Sequence, residues 1–154
     1  MIRIVQGNLF QSSAQTLVNA VNCDGFMGRG LSKGFRERWP SMFLAYHDAC
    51  LHGEVSIGRP FLFRAADRQI LNVPTRERWK SPSRYDFVEA GLEAIRDRHQ
   101  EWGITSIALP ALGCGLGGLE WPRVQVLIED FLGPLPLEIE LFAPVTPDEG
   151  SEFP

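Results

Sequence analysis

Strand-like apolar runs alternate with amphipathic stretches of helical length along most of this chain, and few architectures accommodate that order. "IRIVQG" (2–7) and "TLVNAVN" (16–22) read as strands. "LSKGFRERW" reads as a short helix, entered from a glycine-rich turn at Gly28–Gly34 and ended by Pro40. "SMFLAYHDACLHG" (41–53) puts Met42, Phe43, Tyr46 and Cys50 on one helical face, with Gly53 as a C-terminal stop. Residues 59–75 read as two strands around an Ala-Ala-Asp turn. Ser83 is placed to cap a helix running to Gly103, with Phe87, Val88, Leu92, Ile95 and Trp102 as its buried stripe. "SIALPAL" is a strand, 121–133 a helix with Pro122 in its first turn, and "LEIELFA" (137–143) a closing strand. Elements in this order bury their apolar faces best as an α/β domain: three α/β/α layers around a mixed central sheet.

The chain's 154 residues suit one domain with a real core, here residues 1–143. The tail "PVTPDEGSEFP" (144–154) has no periodicity and reads as a linker toward a further region. No apolar run approaches the ~20 residues of a membrane span, and "MIRIVQGN" lacks the long apolar core of a signal peptide. Cys23, Cys50 and Cys114 are odd in number and lack metal-ligand spacing, which points to a reducing cytoplasm without structural zinc. His47 and His52 read as helix-face or loop residues, and no metal or cofactor is implied. The net charge of -4 conceals an asymmetry, since residues 1–85 carry 12 basic against 6 acidic side chains and residues 86–154 carry 3 against 13. Either a basic face awaits a polyanion, or folding interleaves the two halves; charge alone leaves both open.

Two glycine-rich loops follow predicted strands. In "GCGLGG", Gly113, Gly115, Gly117 and Gly118 lie just beyond "SIALPAL" and before a helix. "NCDGFMGRGLSKG" (22–34) follows the second strand. Glycines let successive N–H groups converge on a phosphate, and a helix N-terminus adds partial positive charge. A tight turn would equally explain one such cluster. Two at strand ends would clamp a diphosphate from both sides.

"VQGNLF" (5–10), "LVNAVNCDGFMGRGLS" (17–32), "IALPALGCGLGGLEW" (107–121) and the late strand before "LFAP" together resemble the macrodomain, a module that binds ADP-ribose. The "PT-x-x-x-W-K-S" run at 74–81 is similar to the branch holding the DNA ADP-ribosyl glycohydrolase antitoxins, related to a terminal ADP-ribose protein glycohydrolase. The resemblance implies that Asn8 and Leu9 hold adenine, with an asparagine where the family commonly has an aspartate. A turn asparagine is the other reading of Asn8. It implies that Asn22 reads the distal ribose and Asn19 supports loop backbone. Met27, Gly28, Arg29, Gly30 and Leu31 would wrap the diphosphate and distal ribose, Arg29 mostly through its backbone. Gly113, Cys114, Gly115, Leu116, Gly117 and Gly118 would form the phosphate loop, with Cys114 a small loop residue rather than a nucleophile. Thr75 borders the same cleft.

For chemistry at the ribose C1″, the resemblance points to Lys80, in the loop "TRERWKSPS". Lys33, the other lysine, is spaced as a solvated helix-face residue. The cations of Arg76, Arg78 and Arg84 would favour a neutral, nucleophilic Lys80 amine. A solvated surface lysine is the competing reading. In this branch a lysine often follows the Pro-Thr pair directly, where this chain has Arg76. The protein-directed enzyme has an aspartate in its phosphate loop, where this chain has Gly117. The leading expectation is release of ADP-ribose from thymine bases of single-stranded DNA, as the antitoxin to a cognate ADP-ribosyltransferase toxin. Release from acidic protein side chains, plain ADP-ribose binding, and an unrelated nucleotide-binding domain are the alternatives.

Overall fold

The computed structural model describes residues 1–144. The expected linker at 144–154 lies, beyond its first residue, outside the described residues. The strands are β1 (Ile2–Val5), β2 (Thr16–Val21), β3 (Phe61–Arg64), β4 (Gln69–Pro74), β5 (Ser106–Pro110) and β6 (Glu138–Phe142). The helices are α1 (Gly30–Arg38), α2 (Pro40–Leu51), α3 (Tyr85–Arg98) and α4 (Trp121–Leu132). The strands form one sheet of order β1-β6-β5-β2-β4-β3. Every pairing is parallel except β3 against β4. The mixed sheet expected from the sequence is therefore present, with its antiparallel strand at one edge.

Side chains alternate across a strand, so each buried strand feeds two cores. Val18, Leu71, Val73, Ile107, Leu109, Ile139 and Leu141 pack with Val88, Leu92 and Ile95 of α3 and Val124 and Ile128 of α4. Leu17, Val21, Ile70 and Ala108 point the other way, against Phe35 of α1 and Met42 and Tyr46 of α2. Helix α3 lies so close to the sheet that a Cβ on Gly91 would overlap Val73 Cγ1. None of the described helices is long and apolar enough to cross a membrane.

Two local expectations are corrected. Arg84, not Ser83, occupies the N-cap of α3, and it makes no side-chain cap bond. Ser83 is buried, and its hydroxyl donates to Thr75 Oγ1 at 3.2 Å. Helix α3 ends at Arg98, and Trp102 reaches the core from the turn that follows, closed by Gly103 at φ +66°. A 3-10 turn at Leu9–Gln11 is also present, too short to leave a periodic signal.

Candidate active site

Five parallel strands end at the same sheet edge, so the loops after β2, β4 and β5 emerge side by side. They are tied together. In the loop after β4, the Ser83 N–H donates to Gly117 O at 3.1 Å. At the other end of that loop, Glu77 O accepts from the Cys23 N–H at 2.9 Å, and the Asp24 carboxylate accepts from the Trp79 N–H at 3.3 Å. The glycine loops themselves approach where Leu116 Cδ1 stands 3.7 Å from the position of a Cβ on Gly30. Residues 75–84 thus bridge both glycine loops, and Lys80 sits exposed on that bridge.

The loop after β5 is built to leave donors free. Gly113 and Gly118 adopt φ +77° and +85°, a region glycine enters without a Cβ penalty. Turn bonds engage the N–H groups of Cys114, Gly118 and Leu119. The N–H groups of Gly115, Leu116 and Gly117 have no acceptor among the described residues. Opposite them, α1 starts at Gly30 with no side-chain cap and no acidic residue in its first turn. Its first N–H groups and its dipole stay available to an anion. Two neighbouring donor sets of this kind suit a diphosphate.

The glycines of this loop have separate reasons. A Cβ on Gly115 would meet open space, whereas one on Gly117 would overlap Ser83 Oγ and stand 2.6 Å from Gly113 O and 2.8 Å from Ser83 Cβ. Gly117 is therefore bare because the neighbouring loop packs on it. The same packing leaves no room for an aspartate at this position. Ligand and turn are the two readings of the cluster; at Gly117 the cause is internal packing.

The two asparagines are engaged differently. Asn22 Oδ1 accepts from the N–H groups of Asp24, Gly25 and Phe26 at 3.2, 3.1 and 3.2 Å, and its Nδ2 donates to Phe26 O at 2.9 Å. The Tyr46 hydroxyl, whose ionisation burial and the nearby Cys50 oppose, sits 2.8 Å from the same oxygen and 2.7 Å from Asn22 O. Asn22 is the organiser of the loop after β2, with one amide hydrogen left for a ligand. Asn19 faces its register partner Asn72 across the sheet, donating to Asn72 Oδ1 at 3.1 Å, and its Nδ2 also donates to Met27 Sδ in the loop after β2 at 3.7 Å.

Several expected contacts are restricted to backbone. Leu9 and Met27 are buried in the core. Thr75 is buried too, its N–H donating to Val21 O at 2.9 Å, so it braces the loop rather than lining the cleft with its side chain. Asn8 is exposed, but its Oδ1 already accepts from the Phe10 N–H at 2.9 Å, as N-cap of the 3-10 turn. Cys114 is half-buried, and that burial pushes its thiol up to about 11, which opposes a nucleophilic role.

Around Lys80 the cations are unequally compensated. Arg84 is bound at 3.0 Å to Asp86. Arg76 donates to Trp79 O at 3.1 Å, and burial followed by the charge of Arg29 pulls it below the usual arginine range. Arg29 lies 5.5 Å from the Trp79 ring centroid, and Lys80 Nζ 4.9 Å from it. The Trp79 ring, which sequence reasoning used only as a motif letter, organises this corner. Behind the bridge, Cys23, Asp24, Ser56, Ile57, Glu77, Arg78 and Phe87 line a cleft of about 550 Å³.

Sheet-edge loops with a free-amide glycine turn, an uncapped helix start and a lysine-bearing bridge define a class, and the family model described as Macro domain matches residues 18–128. The chain belongs to the macrodomain family. It is 43% identical over 150 residues to a Thermus aquaticus protein named DNA ADP-ribosyl glycohydrolase, covering 94% of this chain and 42% of the relative. The solved macrodomain of Thermus aquaticus DarG matches 94% of this chain and 99% of that chain, with a TM-score of 0.89 and 42% identity. A Thermosipho africanus DNA ADP-ribosyl transferase–glycohydrolase fusion protein is 34% identical over 163 residues, covering 94% of this chain and 42% of the relative. The structure of Thermosipho africanus DarTG in complex with ADP-ribose matches 96% of this chain and 43% of that chain, with a TM-score of 0.90 and 34% identity. The chain spans about two fifths of the length of these curated relatives.

Proposed function

We propose that this macrodomain binds ADP-ribose in the loop cleft and releases it from thymine bases of single-stranded DNA, countering a DNA ADP-ribosyltransferase toxin. The observation that carries the reading is the bridge of residues 75–84, which carries Lys80 and is hydrogen-bonded to both glycine loops that hold unengaged backbone donors. The diphosphate lies against the N–H groups of Gly115, Leu116 and Gly117 and the first turn of α1. Gly28, Arg29, Gly30 and Leu31 flank it, and the backbone at Asn8 and Leu9 holds the adenine end. The remaining Asn22 amide hydrogen reaches a hydroxyl of the distal ribose. That leaves C1″ at the bridge.

There the neutral Lys80 amine gives its lone pair to C1″. The C1″–N bond to thymine breaks, and its electron pair leaves with the base nitrogen, which takes up a proton. The Lys80 nitrogen then expels O4″ as the C1″–O4″ bond breaks, the ring oxygen takes the proton that the nitrogen gives up, and an imine joins C1″ to Lys80. Water then adds to that imine, frees ADP-ribose and restores the amine. Lys80 is the only lysine on the bridge, and Arg76 cannot substitute because guanidinium keeps its proton. The names of the Thermus and Thermosipho relatives support both the DNA substrate and a transferase partner. The reading is tested by incubating the protein with ADP-ribosylated thymine oligonucleotide and with protein ADP-ribosylated on acidic side chains, scoring free ADP-ribose. Faster release from DNA is expected; faster release from protein would overturn it.

A further inference from the structure

Phe26 and Trp79 are 50% and 38% exposed, and they are the exposed large aromatic side chains among the described residues. They come from different loops, yet their ring centroids lie 6.2 Å apart at 63°. The loops that carry them are locked by the Asp24–Trp79 and Cys23–Glu77 bonds. Two aromatic surfaces held open to solvent on braced backbone, beside the lysine of the bridge, form a built feature rather than a stray exposed ring.

The charge around the pair discriminates among occupants. Among the described residues, Arg3, Arg68, Arg84, Arg96 and Arg98 have carboxylate partners. Arg29, Arg76, Arg78 and Lys80 do not, and neither do Lys33, Arg36, Arg38, Arg59, Arg64 and Arg123; what sets the first four apart is that they stand with the two exposed rings, although Asp24 and Glu77 lie close by. Unpaired cations interleaved with aromatic rings suit a single-stranded polynucleotide, which presents both phosphates and unpaired bases. An acidic peptide would use the cations and leave the rings idle.

We propose that Phe26 and Trp79 form a nucleobase-stacking subsite, which holds an unpaired base next to the modified nucleotide while Arg29, Arg76 and Arg78 meet the strand's phosphates. This inference rests on the DNA reading given above and adds how a strand is distinguished from an isolated nucleotide. A duplex cannot occupy the subsite, because its bases are already stacked.

The test uses three substrates with the same ADP-ribosylated thymine: a single nucleotide, a single-stranded oligonucleotide, and that oligonucleotide with abasic neighbours. Phe26→Ala leaves the bridge itself intact, and Trp79→Leu keeps the N–H bonded to Asp24. For either variant, KM for the intact oligonucleotide is expected to rise roughly 5- to 100-fold. For Phe26→Ala, KM for the nucleotide should stay within about twofold and kcat should hold, as stacking predicts binding loss alone. Wild-type protein on the abasic-flanked strand should show the variants' KM. Equal effects of Phe26→Ala on all three substrates, or none, would overturn the subsite. If wild-type protein releases ADP-ribose from no DNA substrate, the functional reading fails separately. Binding of unmodified oligothymidylate of about ten nucleotides, followed by anisotropy, then judges the subsite alone. Weaker binding in both variants supports it, and absence of binding by wild-type protein overturns it. A modified peptide whose release is slowed by Phe26→Ala as strongly as that of the oligonucleotide would also overturn it.

Discussion

Replacing Gly117 by alanine separates two causes of a glycine loop. The position has no positive φ, so alanine costs nothing in backbone conformation. Its methyl group, however, would overlap Ser83 Oγ and press within 2.6 Å of Gly113 O. Relieving that overlap means pushing Ser83 away. Overpacking of this kind costs about 1–3 kcal/mol. Ser83 also makes the 3.1 Å bond to Gly117 O and the 3.2 Å bond to Thr75, each worth about 1 kcal/mol. A loss of about 3 kcal/mol follows, a large part of a typical domain stability of ~5–15 kcal/mol. It corresponds to a fall of roughly 10 °C in Tm by calorimetry. Adding Ser83→Gly removes part of the clash, so the double variant should be more stable than additivity predicts by about 1 kcal/mol. An unchanged Tm in Gly117→Ala, with ADP-ribose binding lost, would refute this and return Gly117 to the ligand.

Gly115→Glu places its side chain in open space and should leave Tm nearly unchanged while weakening ADP-ribose roughly tenfold or more by calorimetry, through repulsion of the diphosphate. Tyr46→Phe strips a hydroxyl from Asn22 and should cost about 1–3 kcal/mol in urea unfolding, with looser hydrogen exchange across residues 22–26. Burial raises Cys23, Cys50 and Cys114 each to about 11, above the ordinary thiol value. The folded state then holds these protons longer than the unfolded one. Their contribution to stability is full below the unfolded value near 9 and falls as pH rises to 11; denaturant midpoints at pH 8 and pH 10 check it, and equal midpoints would contradict it.

Periodicity carried the fold well, because each strand and helix had to bury a face and so had to repeat. It gave the two glycine loops and the bridge in the right order. It failed where a residue's role depends on a partner distant in sequence. Asn19 and Asn22 look alike in "LVNAVN", yet one faces Asn72 across the sheet and the other gathers three N–H groups of its own loop. Only strand register separates them. Ser83 has the form of a cap, but the contact that buries it comes from Gly117, more than thirty positions on. Leu9, Met27 and Thr75 matched a binding motif, while the core claims their side chains. The Phe26–Trp79 contact joins two loops and leaves no local trace in the sequence.

The central claim, that the Lys80 amine attacks C1″, is tested by release of ADP-ribose from a modified oligonucleotide with borohydride present during turnover. Wild-type protein should acquire ADP-ribose on the peptide containing Lys80, detected by mass. Lys80→Ala and Lys80→Arg should bind ADP-ribose normally and lose most release, since arginine keeps the charge without the nucleophile. An unmodified Lys80 peptide together with an active Lys80→Arg protein would contradict attack by the amine and leave Lys80 an electrostatic role, and full activity in Lys80→Ala would remove Lys80 from the reaction altogether.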